Sequence, residues 1–201
     1  MFRTTFLSIF SGTWPMVLIC SVIVVSMRIV WIIKEKKEII FYKELLGLCF
    51  IIYVMCLFYV VTFQDVSWST SNFVPFKEMF RYQIGSTLFF KNVLGNMIMF
   101  MPYGFFVSYF LKLKKPISIF LLAILTSFTI EFTQLQIGRV FDVDDILLNI
   151  IGALLGFLVY YCINKMKEHI PPILKKQMIY NILIVILIAG AILYLYNWGV
   201  V

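Results

Sequence analysis

The chain alternates long apolar runs with short polar clusters. The runs are Trp14 to Ile33, Leu45 to Phe63, Asn92 to Leu111, Ile117 to Ile137, Ile146 to Ile163 and Met178 to Tyr196. Each is close to the roughly 20 residues a helix needs to cross the hydrocarbon core of a bilayer, and all are too long for strands. The pattern predicts an all-α integral membrane protein: a bundle of about six transmembrane helices. The first run is longer than the core of a signal peptide and has no small-residue cleavage site after it, so it is read as a retained span.

The longest connection, residues 64–91, contains Asn72-Phe73-Val74-Pro75-Phe76-Lys77-Glu78-Met79-Phe80-Arg81-Tyr82. Pro75 suits the first turn of a helix, which would set Phe76, Met79 and Phe80 on one face. An interfacial helix fits this segment, and an irregular loop fits it equally well. The expected spans fall two in residues 1–69, three in residues 70–165 and the last in residues 166–201.

Composition agrees with lipid as the solvent. Of 201 residues 62% are hydrophobic and 13% charged, where a soluble domain carries about a quarter charged residues. The net charge of +7 sits at the ends of the apolar runs, as membrane flanks do, and does not point to nucleic acid. Cys20, Cys49, Cys56 and Cys162 all lie inside apolar runs, where a thiol is usually a small buried hydrophobe. His169 has no second ligand at metal-binding spacing. No disulfide, metal or cofactor is expected.

Lysine and arginine set the orientation, because cytoplasmic loops carry an excess of them. Eleven basic residues fall on one side: Lys34, Lys36, Lys37, Lys43, Lys112, Lys114, Lys115, Lys165, Lys167, Lys175 and Lys176. Five fall on the other: Arg3, Lys77, Arg81, Lys91 and Arg139. Both termini are expected outside the cell membrane, together with the 64–91 segment.

Polar residues then gather in the outer half. Glu131 is the only acid inside any apolar run, about 9 Å below the outer end of its helix at 1.5 Å per residue, and a central acid costs roughly 2.5 to 3.5 kcal/mol. Gln134 lies on the same side of that helix. Asn92 and Asn96 are four apart, as are Asp145 and Asn149, so each pair shares a face. Pro102 and Gly104 interrupt the third run, and Gly152 with Gly156 form a small-xxx-small pair suited to close helix packing. The turn Gly138 to Asp145 carries Arg139 and three acids, Asp142, Asp144 and Asp145. An ion pair of Arg139 with Glu131 or with the aspartates is expected. The aspartates also suit a helix N-terminus as caps, and the asparagines suit interhelical hydrogen bonds.

These residues resemble the VanZ-like membrane protein family over roughly residues 70–165. The resemblance rests on Asn72-Phe73-Val74-Pro75-Phe76, on Asn92-Val93-Leu94-Gly95-Asn96 with Phe100, Pro102 and Gly104, on Glu131-Phe132-Thr133-Gln134, and on Arg139 to Asp145 with Asn149, Gly152 and Gly156. That family is named for a protein conferring low-level resistance to teicoplanin, a lipid-tailed glycopeptide. The resemblance implies a membrane fold and a resistance phenotype, without a reaction.

Two functional readings follow. In the first, a non-enzymatic protein lowers exposure to such drugs through an outer polar pocket of Asn92, Asn96, Glu131, Gln134, Arg139, Asp142, Asp145 and Asn149. Its partners would be the bilayer and a lipid-linked cell-wall component or the glycopeptide itself. In the second, an intramembrane enzyme acts on an isoprenoid or phospholipid head group, with Glu131 as base and Arg139 on phosphate. The second lacks a recognisable catalytic motif.

Overall fold

The computed structural model describes residues 2–63, 71–77, 79–83, 85–169, 171 and 176–197; side chains 2–6, 91, 183, 187 and 191–197 lie outside that description. Its elements are α1 (Phe2–Glu35), α2 (Phe41–Phe63), a short α3 (Thr87–Phe89) running through a π-helical turn (Phe90–Leu94) into α4 (Gly95–Leu111), then α5 (Pro116–Gln136), α6 (Val143–His169) and α7 (Gln177–Asn197). Five helices, α1, α2, α3 to α4, α5 and α6, are long and apolar enough to cross a membrane. The chain is thus an all-α, multi-pass membrane-type protein. The sixth expected span, Met178 to Tyr196, coincides with α7, whose last side chains lie outside the described residues.

Local chemistry sets the ends of these helices. Lys112 adopts a left-handed conformation (φ 51°) after α4, and Leu113 N–H donates back to the Ser108 carbonyl at 3.0 Å. Pro116 occupies the first turn of α5, where its missing N–H has no helical partner to lose. Gly138 closes α5 at φ 82°, with Gly138 N–H on Leu135 O and Arg139 N–H on Gln134 O. Only a residue without Cβ takes that left-handed position cheaply.

Contacts divide the chain into two compact units, Met1–Thr13 with Tyr53–Asn164 and Trp14–Ile52 with Lys165–Val201. In the first unit the core is Phe100, Ile119, Ala123, Ile150, Ala153 and Phe157, joined by Leu57, Val61 and Tyr160. Here α4 and α6 touch backbone to backbone. A Cβ at Gly104 would collide with the carbonyl of Ala153, one at Gly152 with Met97, and one at Gly156 with Met101. Helices in lipid gain little from apolar burial against each other, so this close approach and its dispersion contacts supply the cohesion. Pro102 sits inside α4 in the same stretch, and Tyr53 Oη donates to the nearby Met99 carbonyl at 2.9 Å.

In the second unit the Arg28 guanidinium grips Glu44 through two bonds, Nε to Oε2 at 2.7 Å and Nη2 to Oε1 at 2.9 Å. Asn181 Oδ1 accepts the Tyr42 N–H at 3.2 Å, and the Tyr42 and Tyr180 rings lie 5.5 Å apart.

Candidate functional site

The segment before α3 folds onto the α5–α6 turn. Asn72 N–H donates to the Phe141 carbonyl at 2.8 Å, and Val143 N–H donates to the Asn72 carbonyl at 3.1 Å, a single parallel bridge. The Asn72 side chain completes the joint: Nδ2 donates to Asp142 Oδ1 at 2.9 Å, and Oδ1 accepts Val74 N–H at 3.1 Å. A side chain with both a donor and an acceptor is needed there, which an aspartate or leucine would not supply. Phe73 stacks on Phe141 with ring centroids 5.5 Å apart.

The three aspartates divide the work. Asp142 accepts the Asp144 N–H at 2.9 Å, the N-capping bond that acidic residues make at helix starts. Asp144, 1% exposed, reaches away from its own helix: Oδ1 accepts Phe76 N–H, and Oδ2 accepts Met79 N–H at 3.1 Å. Asp145 accepts from Asn96 Nδ2 of α4. Glu131, 2% exposed on α5, accepts the Asp142 N–H at 3.0 Å. Buried carboxylates are tolerable when charge-assisted bonds of this kind satisfy them.

The two readings of residues 72–82 are resolved in favour of an irregular loop. Phe76 is left-handed (φ 68°) and the described residues form turns. Asp144 takes the Phe76 and Met79 amides, the second of which a helix opening at Pro75 would need for its own ladder. Glu78 and Ile84 lie outside the described residues. Phe73, Phe76 and Phe80 are left exposed at 67%, 52% and 81%.

The expected ion pair of Arg139 is not formed among the described residues. Its Nη1 donates instead to the Val61 carbonyl, and Gln134 Nε2 donates to the same oxygen at 3.2 Å. Val61 lies in the last turn of α2, where carbonyls lack helical partners and a cation is favoured by the helix dipole. The helix end supplies the guanidinium with an acceptor that needs no carboxylate.

The remaining candidates lie deeper or apart. Asn149 Nδ2 donates to Ser127 Oγ at 2.9 Å, one helical turn below Asp145 and Glu131 respectively, and its Oδ1 is buried without a partner among the described residues. Asn92 is half-buried in the π-helical turn; that wider turn breaks the α-helical register assumed for it and Asn96, and Asn96 is the one joined to Asp145. Sequence reasoning left Asn72, Asp144 and Ser127 out of the candidate pocket. Asn72 opens the Asn-Phe-Val-Pro-Phe motif and carried a usable signal. Asp144 gave none, since nothing in three near-adjacent acids tells which one faces inward.

The assembly is a hydrogen-bonded polar knot joining α2, α4, α5, α6 and the 71–83 loop, with Asn149 Oδ1 beneath it left without a partner among the described residues. Its carboxylates receive backbone and amide N–H groups, which is the chemistry of an anchor and positions a loop. Among the described residues no three acids, cysteines or histidines are placed to hold a metal ion.

The family model described as VanZ/LLP1 matches residues 50–164, a range that contains every member of the knot. No curated protein and no solved structure matches the chain. With more than half of its length matched, and its five membrane-capable helices, the chain belongs to the VanZ/LLP1 family of multi-pass membrane proteins.

Proposed function

We propose that this protein works without catalysis at the outer leaflet of the cell membrane, where it lowers the cell's exposure to lipid-tailed glycopeptides of the teicoplanin type. The observation that carries this reading is the grip of Asp144 on the Phe76 and Met79 amides. It holds a loop whose aromatic side chains stand exposed beside the membrane-capable helices. Aromatic rings favour the membrane–water interface, the zone a lipid-tailed drug must enter. The excess of basic residues on the opposite side supports an outward-facing loop, and family membership supports the link to glycopeptides. In this reading Asn92, Asn96, Glu131, Gln134, Arg139, Asp142, Asp145 and Asn149 act as scaffold and lining for the loop, and Pro102, Gly104, Gly152 and Gly156 as helix-packing positions.

The test compares drugs with and without a lipid tail. Deleting or overproducing the gene is expected to shift susceptibility to teicoplanin more than to vancomycin, which lacks the tail. Equal shifts for the two drugs, or none, would remove the leaflet-specific reading.

A further inference from the structure

The second unit carries a cluster of cations around one tryptophan. Trp31 on α1 has two cations over its ring: the Arg28 guanidinium 4.4 Å from the centroid and the Lys37 ammonium at 4.2 Å. The Arg28 charge is offset by Glu44 at 2.7 Å. The Lys37 charge has no carboxylate within ion-pair distance among the described residues. Lys37 is brought back over the ring because Lys36 is left-handed (φ 49°) and Lys37 N–H donates to the Ile32 carbonyl at 3.2 Å. Of the two cations sharing this ring, only Arg28 is in ion-pair contact with a carboxylate among the described residues, so the pair carries an excess positive charge that favours an anion.

A second observation on the same helix points to the class of anion. A shallow, open trough on one face of α1 is lined by Ser21, Val22, Val25, Ser26 and Ile29. Arg28 follows Val25 by three residues and Ser21 by seven, so it lies on the groove's side of the helix at its polar end. An aliphatic trough ending in a cation pair matches an acyl chain ending in a phosphate. Further round this end, Lys43 lies 5.8 Å from the Tyr42 ring and Lys167 lies 5.8 Å from the Tyr180 ring, with the two tyrosines in contact. Basic residues next to interfacial aromatics attract anionic lipids by about 1 kcal/mol each.

We infer that this end of the protein binds an anionic phospholipid, its phosphate held by Lys37 and Arg28 beside Trp31 and one acyl chain lying in the α1 groove. The site is remote in sequence from the 71–83 loop and does not depend on the resistance reading.

The full chain in neutral detergent is titrated with phosphatidylglycerol, with phosphatidylcholine and with glycerol phosphate, and the melting temperature is followed. Phosphatidylglycerol is expected to raise it saturably, and the other two to leave it nearly unchanged. Lys37→Gln should weaken phosphatidylglycerol binding about fivefold, the loss of one basic contact, and Val25→Phe should weaken it by obstructing the groove. Both positions are on the surface, so the variants should melt near wild type without lipid. Equal stabilisation by both lipids, or unchanged phosphatidylglycerol affinity in Lys37→Gln, would overturn the headgroup assignment. Stabilisation by glycerol phosphate equal to that by the lipid, or full affinity in Val25→Phe, would overturn the acyl groove.

Discussion

The carboxylate of Glu131 accepts the backbone N–H of Asp142 at 3.0 Å, so the one acid inside an apolar run is tied to the turn that starts the next helix. The bond needs an acceptor and not a charge. Glu131→Gln keeps an oxygen for that N–H and should leave the detergent-extracted melting temperature near wild type. Glu131→Leu strands the buried N–H and should cost about 1 to 3 kcal/mol, read as a lower melting temperature and a reduced membrane level. If the two substitutions lower stability equally, the carboxylate has a role beyond this acceptor.

Arg139 and Gln134 share the Val61 carbonyl. Either one alone can satisfy that oxygen, so Arg139→Ala and Gln134→Ala should each cost about 1 kcal/mol. The double variant should exceed the sum, because only then is the carbonyl orphaned. A buried ion pair with Glu131 would give a different result: roughly 3 to 5 kcal/mol for Arg139→Ala alone, rescued by Glu131→Gln. A thermal-stability cycle over these variants separates the two cases.

The approach of α4 to α6 rests on glycines. Gly156→Ala places a methyl against the Met101 carbonyl and should destabilise by about 1 to 3 kcal/mol as the helices part. Gly47→Ala has nothing within 4 Å of the added atom and should leave stability unchanged or raise it by up to about 1 kcal/mol through helix propensity. Comparable losses at both positions would mean that the cost does not come from the α4–α6 contact, since alanine is the better helix former at either site.

Much of this arrangement was legible from the apolar pattern and from charge. Run lengths gave the helices to within a few residues for α2, α5 and α7, and depth along the runs drew Asn96, Glu131, Asp142 and Asp145 to one level. What escaped is long-range hydrogen bonding. The spacing of Phe76, Met79 and Phe80 suits a helix, yet Asp144, more than sixty residues away, takes the amides and turns the chain at Phe76. Arg139 was expected to seek a carboxylate because charges are visible in a sequence, whereas the open carbonyl of a helix end 78 residues earlier is not. The π-helical turn at Phe90–Leu94 has no periodicity signal of its own, and it separates Asn92 from Asn96.

Orientation rests on the bias of basic residues and is open to direct labelling. In a background lacking Cys20, Cys49, Cys56 and Cys162, single cysteines replacing Phe80 or Gly138 should react with a membrane-impermeant maleimide in intact cells. A cysteine replacing Glu38 should react only after permeabilisation. The reverse pattern would put the 71–83 loop on the cytoplasmic side and remove the outer-leaflet reading.

In the proposed function the loop held by Asp144 is what acts on the drug. Asp144→Asn keeps the size of the side chain but replaces one acceptor oxygen with a donor, so it can no longer accept both Phe76 and Met79 N–H. The most direct measurement is the teicoplanin susceptibility of cells carrying Asp144→Asn at wild-type membrane levels, beside a vancomycin control. The teicoplanin-selective shift given by the wild-type gene should be lost. A full teicoplanin-selective shift from the Asp144→Asn protein would contradict this role of the loop.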